Sequence, residues 1–321
     1  METPKKILTK HNIIPNKRLG QNFLTDKKIL AKIIQAADLS PDDIVLEVGP
    51  GTGILTLELA KYAKKVIAVE KDRKIAKILK NILIKNNIKN VEIIEGDILK
   101  LENFFCHPER SEGSRRDSSL AKQGQNDKFS YKLVANIPYY LTSPLIRKFL
   151  ESKNQPEFMI LMIQKEVAQR ICAKPPRMSL LSVATQFYAE PKIISYVSKK
   201  SFFPQPKVDS AIIKMTPKKI PSVIAIRRLA EKQSPDIATG LPRDLRSLAM
   251  TKEFRDRFFK VAKAAFSQPR KQLINNLSKG LSLTREQTEK LLSQCGIKPT
   301  QRPSELSVDK YLELAWKTYG K

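Results

Sequence analysis

Cysteine and histidine are scarce in this sequence, with three cysteines and two histidines among 321 residues. Neither type forms the closely spaced clusters that zinc sites and disulfide frameworks require. We therefore expect no bound metal, no structural disulfide and no mechanism that depends on a histidine base. Unpaired cysteines are typical of reducing compartments, so the sequence predicts a cytoplasmic protein.

Long apolar runs and acidic residues are also lacking. No apolar stretch is long enough to cross a bilayer, and the N-terminal METPKKILTK is not followed by the apolar core of a signal peptide, so we expect no membrane association. The 59 lysines and arginines outnumber the 32 acidic residues and give a net charge of +27. This excess favours a polyanionic partner such as nucleic acid, with a generally basic, solvated surface as the alternative.

Short apolar runs alternate with stretches of helical spacing from Asp26 to about Leu150. This alternation predicts an α/β domain with a doubly wound parallel sheet. Helices are expected directly after Asp26, a residue suited to cap a helix, and over 54–62 and 73–86. Strands are expected at 44–48, 66–70, 91–95, 131–136 and 157–163, with an edge pair at 191–198 and 208–215.

The α/β domain is expected to cover 1–218 and to be followed by a small all-α domain over 252–321, where the apolar spacing is helical throughout. Two polar segments, 106–128 and 222–251, lack a regular period. We interpret both as inserts, the second within an insert or linker over 219–251. A functional lid or specificity loop is the alternative for either segment.

A glycine-rich turn follows the first predicted strand of the sheet. Glu47–Gly53 has the pattern E-x-G-x-G-x-G, and glycines there let the backbone turn sharply and let a ligand approach the start of the next helix. Glu70 closes the next predicted strand, where a carboxylate can accept hydrogen bonds from both hydroxyls of a ribose. These features predict a nucleoside-type ligand and also fit a dinucleotide enzyme. A structural turn beside a surface glutamate is the alternative without a ligand.

The next two predicted strands also end in polar residues. Asp97 can accept a hydrogen bond from the amino group of an adenine. In the sequence Asn136-Ile137-Pro138-Tyr139, the asparagine oxygen and a nearby backbone carbonyl can hold an exocyclic amine while an aromatic ring stacks on its base. This arrangement favours methyl transfer to an amine over hydride transfer. A turn with a core tyrosine is the alternative interpretation.

These motifs together resemble the amino-methyltransferases, and further blocks narrow the resemblance to the small-subunit ribosomal RNA adenine dimethyltransferase family of the KsgA type. The resemblance covers nearly the whole chain outside 106–128 and 222–251. It implies a Rossmann-like methyltransferase domain that binds S-adenosylmethionine and a small helical C-terminal domain. The blocks, in the order in which that family has them, are 17–24, 162–171, 202–212, 265–277 and 302–307.

The resemblance implies roles for individual residues. Glu70 would bind the ribose of S-adenosylmethionine and Asp97 its adenine ring. Asn136 and Pro138 would hold the target amine while Tyr139 stacks on the target base. The full set that would bind S-adenosylmethionine is Asn22, Leu24, Gly49, Gly51, Glu70, Asp97 and Asn136.

An RNA-binding surface is implied as well. Pro269 replaces one arginine of the family's Gln-Arg-Arg-Lys, and Met178-Ser179 stands where the family has a Tyr-Gly pair. Both departures bear on substrate affinity more than on chemistry. The residues expected to bind RNA are Lys17, Arg18, Arg270 and Lys271. We expect Arg270 and Lys271 to open a helix in the C-terminal domain.

The function implied by the resemblance is dimethylation, at N6, of two adjacent adenines in a hairpin loop near the 3′ end of small-subunit rRNA, late in subunit assembly. The partner would be that rRNA or an assembly intermediate of the small subunit, and the enzyme would act as a monomer without a metal. Three alternatives stay open. They are an Erm-type methyltransferase of large-subunit rRNA, an RNA-binding assembly factor whose activity has lapsed, and a dinucleotide oxidoreductase.

Overall fold

The computed structural model describes residues 2–16, 19–101, 130–218 and 252–318, and both predicted inserts lie outside these ranges. The chain divides into two compact units. The first unit comprises Met1–Lys165 and Ile193–Thr216, and the second comprises Glu166–Lys192 and Pro217–Lys321.

The main sheet of the described residues has seven strands in the order β4-β3-β2-β5-β6-β9-β7. Strands β2 to β6 pair in parallel, and β9 pairs antiparallel with β6. The predicted Rossmann-like α/β fold is thereby confirmed, with β7 and β9 together at one edge. The strands are β1 Phe23–Leu24, β2 Ile44–Val48, β3 Lys65–Glu70, β4 Val91–Glu95, β5 Lys132–Asn136, β6 Met159–Gln164, β7 Ala189–Val197, β8 Phe202–Phe203 and β9 Ser210–Pro217.

The direction of strand order reverses at β2, which has β3 on one side and β5 on the other. In open parallel sheets a reversal of this kind leaves a crevice at the carboxyl ends of the strands, because the connecting helices lie on opposite faces. The glycine-rich turn follows β2 and Asn136 ends β5, so the fold places both motifs at this crevice.

Two long helices of the first unit begin directly after a capping aspartate. The side chain of Asp26 accepts hydrogen bonds from the backbone N–H groups of the first turn of α2, and Asp72 does the same for α4. Gly53 directly precedes α3 and has a φ of +85°, a conformation that favours glycine. The helices are α1 Pro4–Lys10, α2 Lys27–Ala37, α3 Ile54–Leu59, α4 Arg73–Lys85 and α5 Thr142–Leu150.

The core of the first unit lies between the main sheet and the helices that cover it. Helix α2 buries Ile29, Leu30, Ile33 and Ala37, which recur at the spacing of one helix face. They pack with strand residues such as Val45. Full burial of a leucine or isoleucine side chain stabilises a fold by about 1.5–3 kcal/mol, so this face anchors the helix to the sheet.

The second unit is mainly helical, as the sequence predicts for 252–321. The ring of Phe187 stacks on that of Phe258 with 4.2 Å between centroids, inside a buried cluster that includes Leu277 and Tyr311. The helices are α6 Lys165–Ile171, α7 Leu180–Tyr188, α8 Lys252–Ala265, α9 Leu273–Leu281, α10 Arg285–Gln294 and α11 Val308–Lys317.

The division between the units differs from the boundary expected at 218. The segment Glu166–Lys192 belongs to the second unit because α7 buries Val183 and Phe187 in the same apolar cluster as α8. The sequence gives no local sign of this, since the helical spacing of α7 is compatible with packing against either unit.

The expectation that Arg270 and Lys271 open a helix is wrong. Helix α9 begins at Leu273, and the two basic residues lie exposed in the preceding turn. The backbone N–H of Lys271 donates to the oxygen of Gln268 at 3.0 Å, which closes a four-residue turn with Pro269 in its second position. Proline favours that position because its φ is fixed near −65°, so the residue selects a turn here.

Candidate active site

A cavity of about 180 Å³ lies in the first unit at the carboxyl ends of β2, β3 and β5. The structure brings together here the residues predicted to bind S-adenosylmethionine and those predicted to hold the target amine. The lining includes Asn22, Leu24, Gly49, Gly51, Glu70, Asp97, Asn136, Pro138 and Tyr139. Their individual roles remain predictions.

The glycine-rich turn after β2 forms one wall of the cavity. Gly49 and Gly51 have φ values of +70° and +58°, which side chains of L-residues rarely allow. A Cβ atom on Gly51 would also lie 3.0 Å from the ring of Phe23. The turn therefore needs glycine both for its backbone conformation and for the close approach of β1.

Glu70, at the end of β3, holds this turn in place. Its Oε2 accepts from the backbone N–H of Gly51 at 3.1 Å, and its Oε1 accepts from that of Asp72 at 2.9 Å. Burial raises the pKa of the Glu70 carboxyl, while these backbone hydrogen bonds act in the opposite direction. Each carboxylate oxygen has a further lone pair. The geometry is thus compatible with the predicted ribose contact and gives Glu70 a second role, in shaping the turn.

Asp97 follows β4, the strand that pairs with β3 on the side away from β2 and the glycine-rich turn. Its Oδ2 pairs with the ammonium of Lys71 at 3.0 Å, and its Oδ1 accepts from the backbone N–H of Leu99 at the same distance. Desolvation acts to raise the pKa of Asp97, but the hydrogen bonds from Lys71 and from the backbone of Leu99, together with the charges of Lys71 and Lys100, outweigh it and the pKa is lowered. An ionised carboxylate accepts hydrogen bonds and donates none, which matches the predicted contact with an adenine amino group.

A buried carboxylate, Glu47, lines the same cavity. It is 1% exposed, and its Oε2 has no hydrogen-bond partner in the described part of the chain. Burial, with a smaller contribution from the charge of Glu70, raises the pKa of Glu47 to about 8. A buried acid without a partner suits a cationic ligand, because a positive charge nearby favours the ionised form. Sequence reasoning gave no role to Glu47, although it is the first residue of E-x-G-x-G-x-G.

Asn136 faces the cavity with a fixed amide orientation. Its Nδ2 donates to the backbone oxygen of Asn22 at 3.2 Å, which leaves Oδ1 as the acceptor for an incoming amine. The backbone oxygen of Pro138 accepts from the N–H of Leu141 at 2.9 Å and retains a second lone pair. Both oxygens that the sequence assigns to the amine can therefore accept from it.

Tyr139 is half-buried beside these acceptors. Its hydroxyl lies 2.9 Å from the Oγ of Ser210, a fully buried residue at the start of β9. Burial raises the pKa of Tyr139, with the hydrogen bond to Ser210 acting against it. This contact fixes the direction of the ring. Sequence reasoning missed Ser210, although it lies within the block 202–212 that carries the family resemblance.

The segment before α2 closes the remaining side of the cavity. Strand β1 pairs antiparallel with β8, and the side chain of Gln21 donates to Asp72 at 3.0 Å. The cavity is thus bounded by the end of β3 and by the N-terminal segment. Lys17 and Arg18, predicted to bind RNA, lie outside the described residues.

Within the described part of the chain, no group of three or more histidine, cysteine or acidic side chains is placed to hold a metal ion. In the same ranges, no helix has the length and apolar character needed to cross a bilayer.

Comparison with protein families identifies the family to which this fold belongs. The model of a family described as ribosomal RNA adenine dimethylase matches residues 14–231 of this chain. The chain belongs to that family. Membership confirms the predicted enzyme class, an rRNA adenine dimethylase that uses S-adenosylmethionine as methyl donor.

Curated members of the family are similar over nearly their whole length. The small-subunit rRNA methyltransferase A of Dehalococcoides mccartyi is 37% identical over 97% of this chain and 91% of its own. The protein of the same name from Geobacillus kaustophilus is 36% identical over 97% of this chain and 93% of its own.

Solved structures agree with this assignment. A dimethyladenosine transferase from Plasmodium falciparum has a TM-score of 0.66 and 25% identity, over 93% of this chain and 98% of its own. The 23S rRNA methyltransferase ErmE has a TM-score of 0.64 and 26% identity, over 92% of this chain and 99% of its own. The fold therefore also occurs in an enzyme named for 23S rRNA.

Proposed function

We propose that this dimethylase transfers methyl groups to N6 of two adjacent adenines in a hairpin loop near the 3′ end of small-subunit rRNA. The observation that carries the proposal is the fixed amide of Asn136, whose free oxygen faces the cavity as a hydrogen-bond acceptor. The carboxyl groups of Glu47, Glu70 and Asp97 line the same cavity. The names of the curated relatives favour small-subunit rRNA as the substrate.

The residues present fit S-adenosylmethionine. Glu47 offers an unpartnered buried carboxylate to a cation, and Glu70 and Asp97 offer acceptors to a ribose and an adenine amine. When bound, S-adenosylmethionine supplies a methyl group on a sulfonium that is already activated for displacement. The protein is then required to orient the acceptor nitrogen, which contributes up to ~7–11 kcal/mol in well-oriented reactions.

Asn136 and Pro138 orient the amine. Two oxygen acceptors fix both N–H bonds of the adenine amine, so the nitrogen lone pair points away from them. Tyr139, directed by Ser210, provides a face for the base. No histidine lines the cavity formed by the described residues. A general base is not required, because the methylated amine loses its proton readily to water.

Adenine must leave its stack to enter such a cavity, and this costs least in a loop. The net charge of +27 supports an RNA substrate, since lysines and arginines that neutralise phosphates release counterions. We further propose that the protein acts as a monomer in the cytoplasm, on an assembly intermediate of the small subunit.

Expression in cells that lack their own small-subunit dimethyltransferase tests the function. We expect mass spectrometry of the rRNA to show two dimethylated adenines near the 3′ end of the small-subunit rRNA, and none in cells that express Asn136→Ala. Methylation confined to large-subunit rRNA would establish the Erm-type alternative. Methylation of neither rRNA by a stable protein would favour the lapsed assembly factor.

A further inference from the structure

The exposed aromatic ring of Tyr140 lies at the opening of the cavity. Tyr140 is 51% exposed, follows the stacking residue Tyr139 directly and lines the same cavity. Its ring lies against Gly20: a Cβ atom there would be 3.5 Å from the Cδ1 of Tyr140. One side of the ring is therefore supported by the N-terminal segment, while the rest of it faces solvent.

The two neighbouring tyrosines point in different directions. The hydroxyl of Tyr139 is tied inward to the buried Ser210, whereas none of the described side chains forms a ring contact with Tyr140. Tyr140 therefore presents aromatic surface to solvent where a substrate must enter. An exposed ring of this kind gains most from contact with another flat, apolar surface.

The ammonium group of Lys71 lies at the same opening. Lys71 is half-exposed, pairs with Asp97 at 3.0 Å and lines the same cavity as Tyr140. An ammonium has three donors, so Asp97 leaves others available to a phosphate oxygen. An aromatic ring beside a cation is the combination with which proteins hold single-stranded nucleotides.

We propose that Tyr140 is the stacking platform for the nucleotide that neighbours the target adenine. This inference rests on the proposed function, because an RNA strand that places one base inside the cavity must leave the next nucleotide at its opening. In a substrate with two adjacent adenines, that nucleotide is the second adenine. Tyr140 thus holds one adenine outside while the other is methylated, and a shift by one nucleotide exchanges them.

The test uses a hairpin RNA with two adjacent loop adenines, one of them replaced by the fluorescent analogue 2-aminopurine. We expect the wild-type protein to quench this fluorescence and Tyr140→Phe to do the same. Tyr140→Ala should abolish the quenching and weaken RNA binding by at least about fivefold, the lower end of what base–aromatic stacking contributes. Affinity for S-adenosylmethionine, measured by calorimetry, should stay the same in all variants.

Tyr62 provides the matched control. It is 48% exposed and lies between the end of α3 and the amino end of β3, whereas the cavity lies at the carboxyl ends of the strands, so Tyr62→Ala should bind RNA like the wild type. The proposal is overturned if Tyr140→Ala quenches and binds like the wild type, or if the wild type does not quench. It is also overturned if Tyr140→Ala weakens S-adenosylmethionine binding as much as RNA binding, because the ring then belongs to the cofactor site. A wild-type protein that quenches without methylating small-subunit rRNA refutes the proposed function and leaves the stacking role standing.

Discussion

Asn136 and Asn22 are joined across the cavity, with the Nδ2 of Asn136 donating to the backbone oxygen of Asn22 at 3.2 Å. The Nδ2 of Asn22 in turn donates to the oxygen of Gly20 at 3.2 Å. The end of β5 and the N-terminal segment therefore fix each other, and the acceptor oxygen of Asn136 is directed by a residue more than a hundred positions away.

Replacement of Asn136 by alanine should lower the rate of methyl transfer by at least tenfold, which corresponds to about 1.4 kcal/mol. The reason is that the amide orients the nitrogen lone pair, an interaction that matters most in the transition state. Single-turnover kinetics with rRNA would measure the effect, and S-adenosylmethionine affinity should fall far less. Asn86→Ala, at the exposed end of α4, is the control. A loss below tenfold would show that Asn136 does not orient the amine.

Glu70→Gln should weaken S-adenosylmethionine binding by roughly tenfold to a hundredfold, since hydrogen bonds to charged groups contribute ~1.5–3 kcal/mol. The variant loses an acceptor for the ribose and one of its two bonds to backbone N–H groups. Calorimetry measures the affinity, with Glu95→Gln, the residue paired with Glu70 in the neighbouring strand, as the control. Unchanged affinity would refute the nucleoside site. Tight binding of NAD by the wild type would instead revive the oxidoreductase alternative.

Glu47→Gln should stabilise the ligand-free protein in a pH-dependent way. The pKa of Glu47 is raised from 4.5 to about 8 by burial and by Glu70. Below pH 4.5 the folded and unfolded chains both hold the proton, so the variant gains nothing. As the pH rises towards 8, the unfolded wild-type chain ionises while the folded chain does not, and wild-type stability falls.

We therefore expect the gap in melting temperature between Glu47→Gln and the wild type to widen up to about pH 8 and then level off. At that pH it should reflect on the order of a few kcal/mol. Thermal melts across this pH range measure it, with Glu95→Gln, which replaces an exposed carboxyl, as the control. A gap independent of pH for Glu47→Gln would mean that the buried carboxyl ionises like an exposed one.

Replacement of Arg270 and Lys271 by alanine should weaken RNA binding without a sequence preference. Both residues are exposed in the turn before α9. If they contact phosphates, the slope of log affinity against log salt should fall by about one to two units. Binding titrations at several salt concentrations measure the slope, with the exposed pair Arg285 and Lys290 as a matched replacement. A slope identical to that of the wild type would remove Arg270 and Lys271 from the RNA-binding surface.

Deletion of 106–128, or of 222–251, with a short glycine–serine joint should leave folding and activity largely intact. Neither segment contains a motif residue, and closure entropy changes slowly with loop length, by ~0.6 kcal/mol per doubling. Melting temperature and rRNA methylation should be measured together. Lost methylation at an unchanged melting temperature would identify the deleted segment as a working part of the substrate site.

The sequence by itself determined the α/β fold and the main elements of the site. Alternation of β-branched runs with helical spacing predicted β2 to β6 because backbone preference and burial act locally there. Parallel strands align their carboxyl ends, so the sequence also predicted that the residues ending these strands lie together at one end of the sheet. These residues are Glu70, Asp97 and Asn136. The sequence predicted the start of α9 too early, at Arg270. Proline is favoured at the second position of a β-turn, where Pro269 lies, as well as at the first position of a helix, so the residue alone does not distinguish the two.

The tertiary structure alone decided how the side chains of the site are directed. Contacts such as those of Asn136 with Asn22 and of Tyr139 with Ser210 join residues 114 and 71 positions apart, and no periodic pattern encodes them. The same holds for α7, whose burial with the helices of the second unit depends on which apolar face lies nearest after folding. Local spacing specifies elements and their order, whereas orientation and burial depend on packing between distant segments, which forms when the whole chain is in place.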